Sequence, residues 1–151
     1  MSAATADPRE RHHRLVKFRA MTPADLPALG LAVGVSVAES LHRLGFVEVR
    51  VKWPNDIVWR HRKLGGLLLQ MRSEVGGGAS VVAGLGINVA LPAAARSALE
   101  GPGLLPATDL CEIRPERVPE RNALAAALAT AMLAALAEFK KLSGFGEALG
   151  S

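Results

Sequence analysis

The chain has 151 residues, half of them hydrophobic and 21% charged, with a formal charge of +4 and one cysteine, Cys111. These values fit one ordinary globular domain and exclude disordered, collagen-like and disulfide-stapled classes. The lone cysteine and the polar start from Met1 to Arg14 imply a cytoplasmic setting without a secretory signal. The alanine-dominated run Ala123 to Ala137 is shorter than the roughly 20 residues of a membrane span, so no membrane association is expected. Basic residues gather at Arg9 to Arg19 and from Arg43 to Lys63. With few aromatics beside them, they favour a nucleotide or phosphate-bearing partner over nucleic acid.

From the N-terminus, Val16, Phe18 and Ala20 alternate with Leu15, Lys17 and Arg19, the period of a half-buried strand. Thr22-Pro23-Ala24-Asp25 then offers an N-cap, a proline at the first helical position and an acid in the first turn. A helix follows with its apolar stripe on Leu26, Leu29, Val33, Val37, Leu41 and Leu44, ended by Gly45 and with its first turn split off at Pro27. Val47, Val49 and Val51 predict a second strand, and Ile57 to Trp59, Leu64 to Met71 and Ser80 to Val89 three more. The short links at Trp53 to Asp56, Arg60 to Arg62 and Gly76 to Gly78 make antiparallel pairing the simplest arrangement.

Residues 91–118 read as loop with a short helix near Ala93 to Leu99. Pro119 to Leu142 has strong helix propensity, with Leu124, Leu128, Met132, Leu136 and Phe139 able to share a face, and Gly144 as a stop. Strands bracketed by two long helices predict an α+β domain with helices packed on one face of a mostly antiparallel sheet.

Three segments concentrate chemistry. Lys52-Trp53-Pro54-Asn55-Asp56 sets a cation, an amide and a carboxylate at one turn, although Pro-Asn-Asp is also an ordinary turn sequence. Arg62-Lys63-Leu64-Gly65-Gly66 opens a strand with a basic pair and two glycines. Gly84-Leu85-Gly86-Ile87-Asn88 is no dinucleotide fingerprint, because the third glycine is missing and no helix opens there. Glycines inside a strand mark either tight packing or close approach of a ligand. His12, His13, His42 and His61 lack acidic or cysteine companions at metal-ligand spacing and read as surface residues, and no metal ligand is assigned. Cys111 reads as structural.

In this order and spacing, the three segments resemble the central signatures of biotin protein ligases, and the likeness extends from about Leu15 to Ser143. The resemblance implies an antiparallel sheet flanked by helices, of the class II aminoacyl-tRNA synthetase and biotin ligase type. It implies ATP-dependent activation of biotin to biotinoyl-AMP, with Mg2+, and transfer to a lysine of a biotin carboxyl carrier protein. It also leaves room for a homodimer. By this resemblance Lys63 stabilises the reacting carboxylate and α-phosphate, and Asp56 orients or deprotonates the incoming amine. Asn55, Asn88 and Lys52 contact the adenylate, while Gly66, Leu68, Gly84 and Gly86 line the biotin pocket. The family's Gly-Arg-Gly-Arg-x-Gly-Arg loop has no counterpart here, since Arg9 to Arg19 contains no glycine. The chain stops where the family continues into a small β-barrel. The organisation expected is a polar leader over 1–13 and a partial catalytic domain over 14–151. Alternatives are a lipoate ligase or octanoyltransferase, against which the Lys-Trp-Pro-Asn-Asp turn argues, and a truncated, non-catalytic biotin-binding domain.

Overall fold

Period-two and period-3.6 patterning become a five-stranded sheet with two long helices on one face. The computed structural model describes residues 16–19, 21–76 and 78–144, so the expected polar leader over 1–13 lies outside the described residues. In chain order, β1 (Val16–Arg19) leads through a 3-10 turn at Pro23–Asp25 into α1 (Leu26–Arg43). Then come β2 (Val49–Lys52), β3 (Asp56–Trp59), β4 (Arg62–Ser73), β5 (Gly78–Ile87), α2 (Ala93–Ala98), α3 (Leu110–Ile113) and α4 (Arg121–Leu142). The sheet order is β1-β5-β4-β3-β2 with every pairing antiparallel, as the short links require.

The Thr22–Asp25 start behaves as a cap: the Thr22 backbone N–H and hydroxyl both donate to Asp25 Oδ2, each at 2.8 Å. Helix α1 buries Leu29, Val33, Val37 and Leu41 against the sheet and ends at Gly45, whose φ of +99° is the left-handed cap glycine permits. Ser36 Oγ donates to the Ala131 carbonyl and ties α1 to α4. One apolar cluster joins Val37, Leu41, Phe46, Ile57, Leu64, Leu110, Leu124 and Leu128; a second joins Phe18, Leu29, Val33, Leu67, Val81 and Leu136. By length and mean hydropathy, Pro23–Arg43 and Arg121–Leu142 could each cross a bilayer, which corrects the estimate taken from Ala123 to Ala137 alone. In the fold, both turn their leucine stripes to these clusters.

Four local features differ from the sequence pattern. Val47 lies ahead of β2 and is exposed, while Phe46 is buried in its stead. His42 is half-buried, with Nε2 2.7 Å from the Val49 carbonyl of edge strand β2, a bond that depends on the ring tautomer. Strand β5 ends at Ile87, two residues short of Val89. Residues 91–118 hold α3 and a 3-10 turn at Pro115–Arg117 as well as the expected α2, and Ala107 to Leu110 are buried.

The β3–β4 link is a two-residue hairpin turn with φ of 45° at Arg60 and 65° at His61. Positive φ at both central residues suits the twist of the flanking strands but disfavours side chains. Arg60 is compensated by ion pairing with Glu48 and by stacking 4.7 Å from the Trp59 ring centroid. His61 is exposed. Since a left-handed non-glycine residue costs roughly 1–2 kcal/mol, partly offset by glycine's unfolded-state entropy, His61→Gly is expected to stabilise the domain by about 0.5–1 kcal/mol. Urea unfolding monitored by circular dichroism checks this; an unchanged or lower midpoint contradicts it.

Candidate active site

The face of the sheet turned away from α1 and α4 is where the three segments meet. Leu67, Leu69, Met71, Val81, Ala83 and Leu85 point to the helices and the second apolar cluster. By strand alternation, Gly66, Leu68, Gly84 and Gly86 belong to the opposite face. Register aligns Lys52, Asp56, Gly66 and Gly86 in one row across β2, β3, β4 and β5, and pairs Leu68 with Gly84 in the next row. The Asn55 carbonyl accepts from Leu67 N–H at 2.8 Å, which draws the Trp53–Asn55 turn over β4.

Simple alternation would put Leu64 on this open face and Lys63 toward the helices. A bulge reverses that parity. Ile57 pairs with Gly65 but Val58 pairs with Lys63, leaving Leu64 as the extra residue on β4. Leu64 is thereby fully buried in the apolar core, and the Lys63 side chain comes to the open face, where Nζ lies 2.7 Å from Asp56 Oδ1.

The glycines of this face are not demanded by packing. A Cβ on Gly86 would meet nothing within 4 Å, one on Gly84 only the Leu68 carbonyl at 3.9 Å, and one on Gly66 only ordinary contacts of 3.7–3.9 Å with Asn55 and Lys63. Gly65 is different, since a Cβ there would collide with the Gly86 carbonyl where β4 and β5 approach. Of the two meanings a strand glycine carries, Gly66, Gly84 and Gly86 therefore fit ligand approach, and Gly65 fits packing.

Lys52, Asp56, Lys63, Gly66, Gly86 and Asn88 line one cavity of about 650 Å³, with Ala98, Leu99, Leu104 and Leu105 as its far wall. That volume lies within the range of small-molecule sites. Asn55 is exposed in the turn beside the cavity, and Leu68 and Gly84 continue the open face one row beyond its lining. Asn88 Nδ2 donates to the Thr108 carbonyl at 3.0 Å, so part of its amide serves the protein itself. Among the described residues no group of three or more His, Cys, Asp or Glu could hold a metal ion.

The sequence reading missed the segment that fixes this edge. Pro106 to Asp109 runs parallel to the start of β4, with Lys63 N–H donating to the Pro106 carbonyl at 2.7 Å and Thr108 N–H to the Lys63 carbonyl at 2.9 Å. Arg62 pairs with Glu112 and donates to the Ala107 carbonyl at 2.7 Å. Asp109 caps α3 by accepting from Glu112 N–H at 2.7 Å. Asp109-x-x-Glu112 ahead of a helical turn was a visible capping signal.

Residues 15–88 match the pattern of the Biotin/lipoate A/B protein ligase family. The segment is similar to the bifunctional ligase/repressor BirA of Escherichia coli, 45% identical over 69 residues that make up 46% of this chain and 22% of that protein. In structure the chain is similar to the biotin protein ligase of Aquifex aeolicus without ligand, with a TM-score of 0.62 and 25% identity over 84% of this chain and 52% of that one. Against the same enzyme in complex with biotin and ATP, the TM-score is 0.57 and the identity 26%, over 84% of this chain and 51% of that one. The chain thus spans about half the length of these solved relatives.

Two expectations follow. Gly86→Val adds volume where nothing in the protein stands, so the domain should keep its circular dichroism spectrum and lose small-molecule binding in the cavity, measured by calorimetry with biotin. Unchanged affinity would remove Gly86 from the site. Separately, the hydrogen bond from Arg62, helped by Thr108 and by the charges of Arg62 and Arg96, holds the Glu112 carboxyl below the usual carboxylate range against some loss of hydration. A group lowered on folding stabilises fully above its unfolded value and loses that contribution as pH falls through its folded value. The gap in urea midpoint between the parent and Glu112→Gln should therefore be widest near neutral pH and close as pH drops below the ordinary glutamate range. A gap that persists at acid pH would discount the charge.

Proposed function

We propose that this chain is the central part of a biotin protein ligase, which joins biotin to ATP as biotinoyl-AMP and passes the biotinoyl group to a lysine of a biotin carboxyl carrier protein. The observation that carries this reading is the bare strip of Gly66, Gly84 and Gly86 beside the Lys63–Asp56 ion pair. The strip leaves space that packing does not need, and the pair places opposite charges at its end. The family match over residues 15–88 and the likeness to a solved ligase in complex with biotin and ATP support it.

In the first step a biotin carboxylate oxygen attacks the α-phosphorus, a C–O–P bridge forms, and pyrophosphate departs with the electrons of the broken P–O bond. Lys63, a fixed cation in a partly enclosed cavity, offsets the negative charge that grows on the α-phosphate oxygens. Lys52, opposite Asp56 across the hairpin, adds a second positive group. In the second step the carrier amine attacks the acyl carbon, AMP leaves, and Asp56 takes the amine proton as general base. Gly66, Leu68, Gly84 and Gly86 flank the biotin, and Asn55 and the uncommitted part of the Asn88 amide meet adenine.

Magnesium would enter with the nucleotide. Among the described residues Asp56 is the sole carboxylate lining the cavity, and it is held by Lys63, so these residues offer no cage of their own. No step is assigned to the ion.

Lys63→Ala is expected to lower biotin-dependent pyrophosphate release by about 10²–10³-fold, the usual loss for one preorganised charge. A variant within a few-fold of the parent would reject Lys63's role. Thermal stabilisation by biotin, with and without ATP, set against lipoate and octanoate, tests the substrate. Stabilisation by lipoate alone would make the enzyme a lipoate ligase, and biotin binding without labelling of a carrier domain would leave a binding domain.

A further inference from the structure

We propose that Arg96 is a positioning residue that latches the far wall of the cavity to the segment holding Lys63 and Asn88. Arg96 lies on α2, two residues before Ala98 of that wall. Its Nη1 donates to the Ala107 carbonyl and to Glu112 Oε2, both at 2.9 Å, and its Nη2 donates to Asp109 Oδ2 at 2.8 Å. The Asp109 side chain is only 5% exposed, and its Oδ2 also accepts from Leu91 N–H at 3.0 Å, which ties down the approach to α2.

The segment so clamped is the one that grips both site residues. Pro106 and Thr108 bond the Lys63 backbone, Thr108 accepts from the Asn88 side chain, and Leu110 N–H donates to the Asn88 carbonyl at 3.0 Å. Between the α2 end of the wall and this segment the chain passes through Gly101-Pro102-Gly103, which forms no helix or strand. The Arg96 guanidinium therefore supplies a direct side-chain link between α2 and this segment. Its planar fork reaches three acceptors at once, which a lysine ammonium on a flexible stem cannot reproduce with the same geometry. Losing the fork lets the segment shift, and Lys63 shifts with it away from Asp56.

The kinetic consequence rests on the adenylation reading above, whereas the geometric consequence does not. In the full chain, Arg96→Met should stay folded by circular dichroism and lower pyrophosphate release chiefly through kcat, by roughly 10–100-fold, as displacement of a charged group by about 1 Å does. Acylation of Lys63 by acetic anhydride, followed by peptide mass spectrometry and normalised to exposed Lys141, should rise by at least about threefold as the pairing with Asp56 loosens. A merely structural role would lower the melting temperature and leave that ratio unchanged in the folded protein. Arg96→Lys should fall between parent and Arg96→Met in both readouts, and it decides the matter if the methionine variant does not fold. An unchanged Lys63 ratio in a folded variant overturns the proposal. A changed ratio in a chain that releases no pyrophosphate keeps the proposal and rejects the adenylation reading.

Discussion

Lys63 is held at its backbone from two sides, and the site depends on that grip. On one side the bulge opposite Ile57 and Val58 sends Leu64 into the core and Lys63 to the open face. On the other, Pro106 and Thr108 bond its N–H and carbonyl as an added parallel strand would. A long, flexible side chain keeps little of its freedom when its root is fixed in this way and its end pairs with Asp56. Burial of Leu64 and placement of the charge are one event, so the apolar core helps to hold the Lys63 ammonium in place.

The open face works by subtraction. Helices α1 and α4 cover one side of the sheet and bury its leucines and valines there. On the other side the row Lys52, Asp56, Gly66 and Gly86 puts charge at the β2–β3 end and bare backbone at the β4–β5 end. A small molecule lying along that row would meet exposed peptide surface over part of its length and a cation at one end. The bare backbone weakens the strands locally, because glycine contributes no side-chain packing, and the apolar contacts on the helix face offset that weakness.

Around the cavity rim the charges are arranged as a chain. Glu112 takes Arg62 and Arg96, Asp109 takes Arg96, and the Ala107 carbonyl takes both arginines. Glu112 and the arginines are partly exposed, where single ion pairs are worth little. Asp109 is buried and its carboxylate is met by two backbone N–H groups as well as the guanidinium. Such a satisfied buried carboxylate specifies geometry, which this edge needs more than it needs added stability.

The α+β class, the antiparallel sheet, the two long helices and the three chemistry-bearing segments were legible from sequence, because each depends on local period or on short links between neighbours. Val33, Val37 and Leu41 recur at helical spacing; Val49 and Val51 alternate; Gly45 stands where a left-handed residue was needed. Tertiary structure alone decided which glycines packing requires and which leave open space. Gly65 and Gly66 are adjacent and both line the cavity, yet a Cβ would collide with the Gly86 carbonyl at the first and meet only ordinary contacts at the second. It also decided the side on which Lys63 emerges, since a bulge breaks the alternation from which that side would be read. The partnership of Arg96, Ala107, Asp109 and Glu112 with the start of β4 was hidden for the same reason. Arg62 and Glu112 are 50 residues apart, and no periodicity spans that interval; the two meet because the chain after β5 folds back along the strand that carries Lys63.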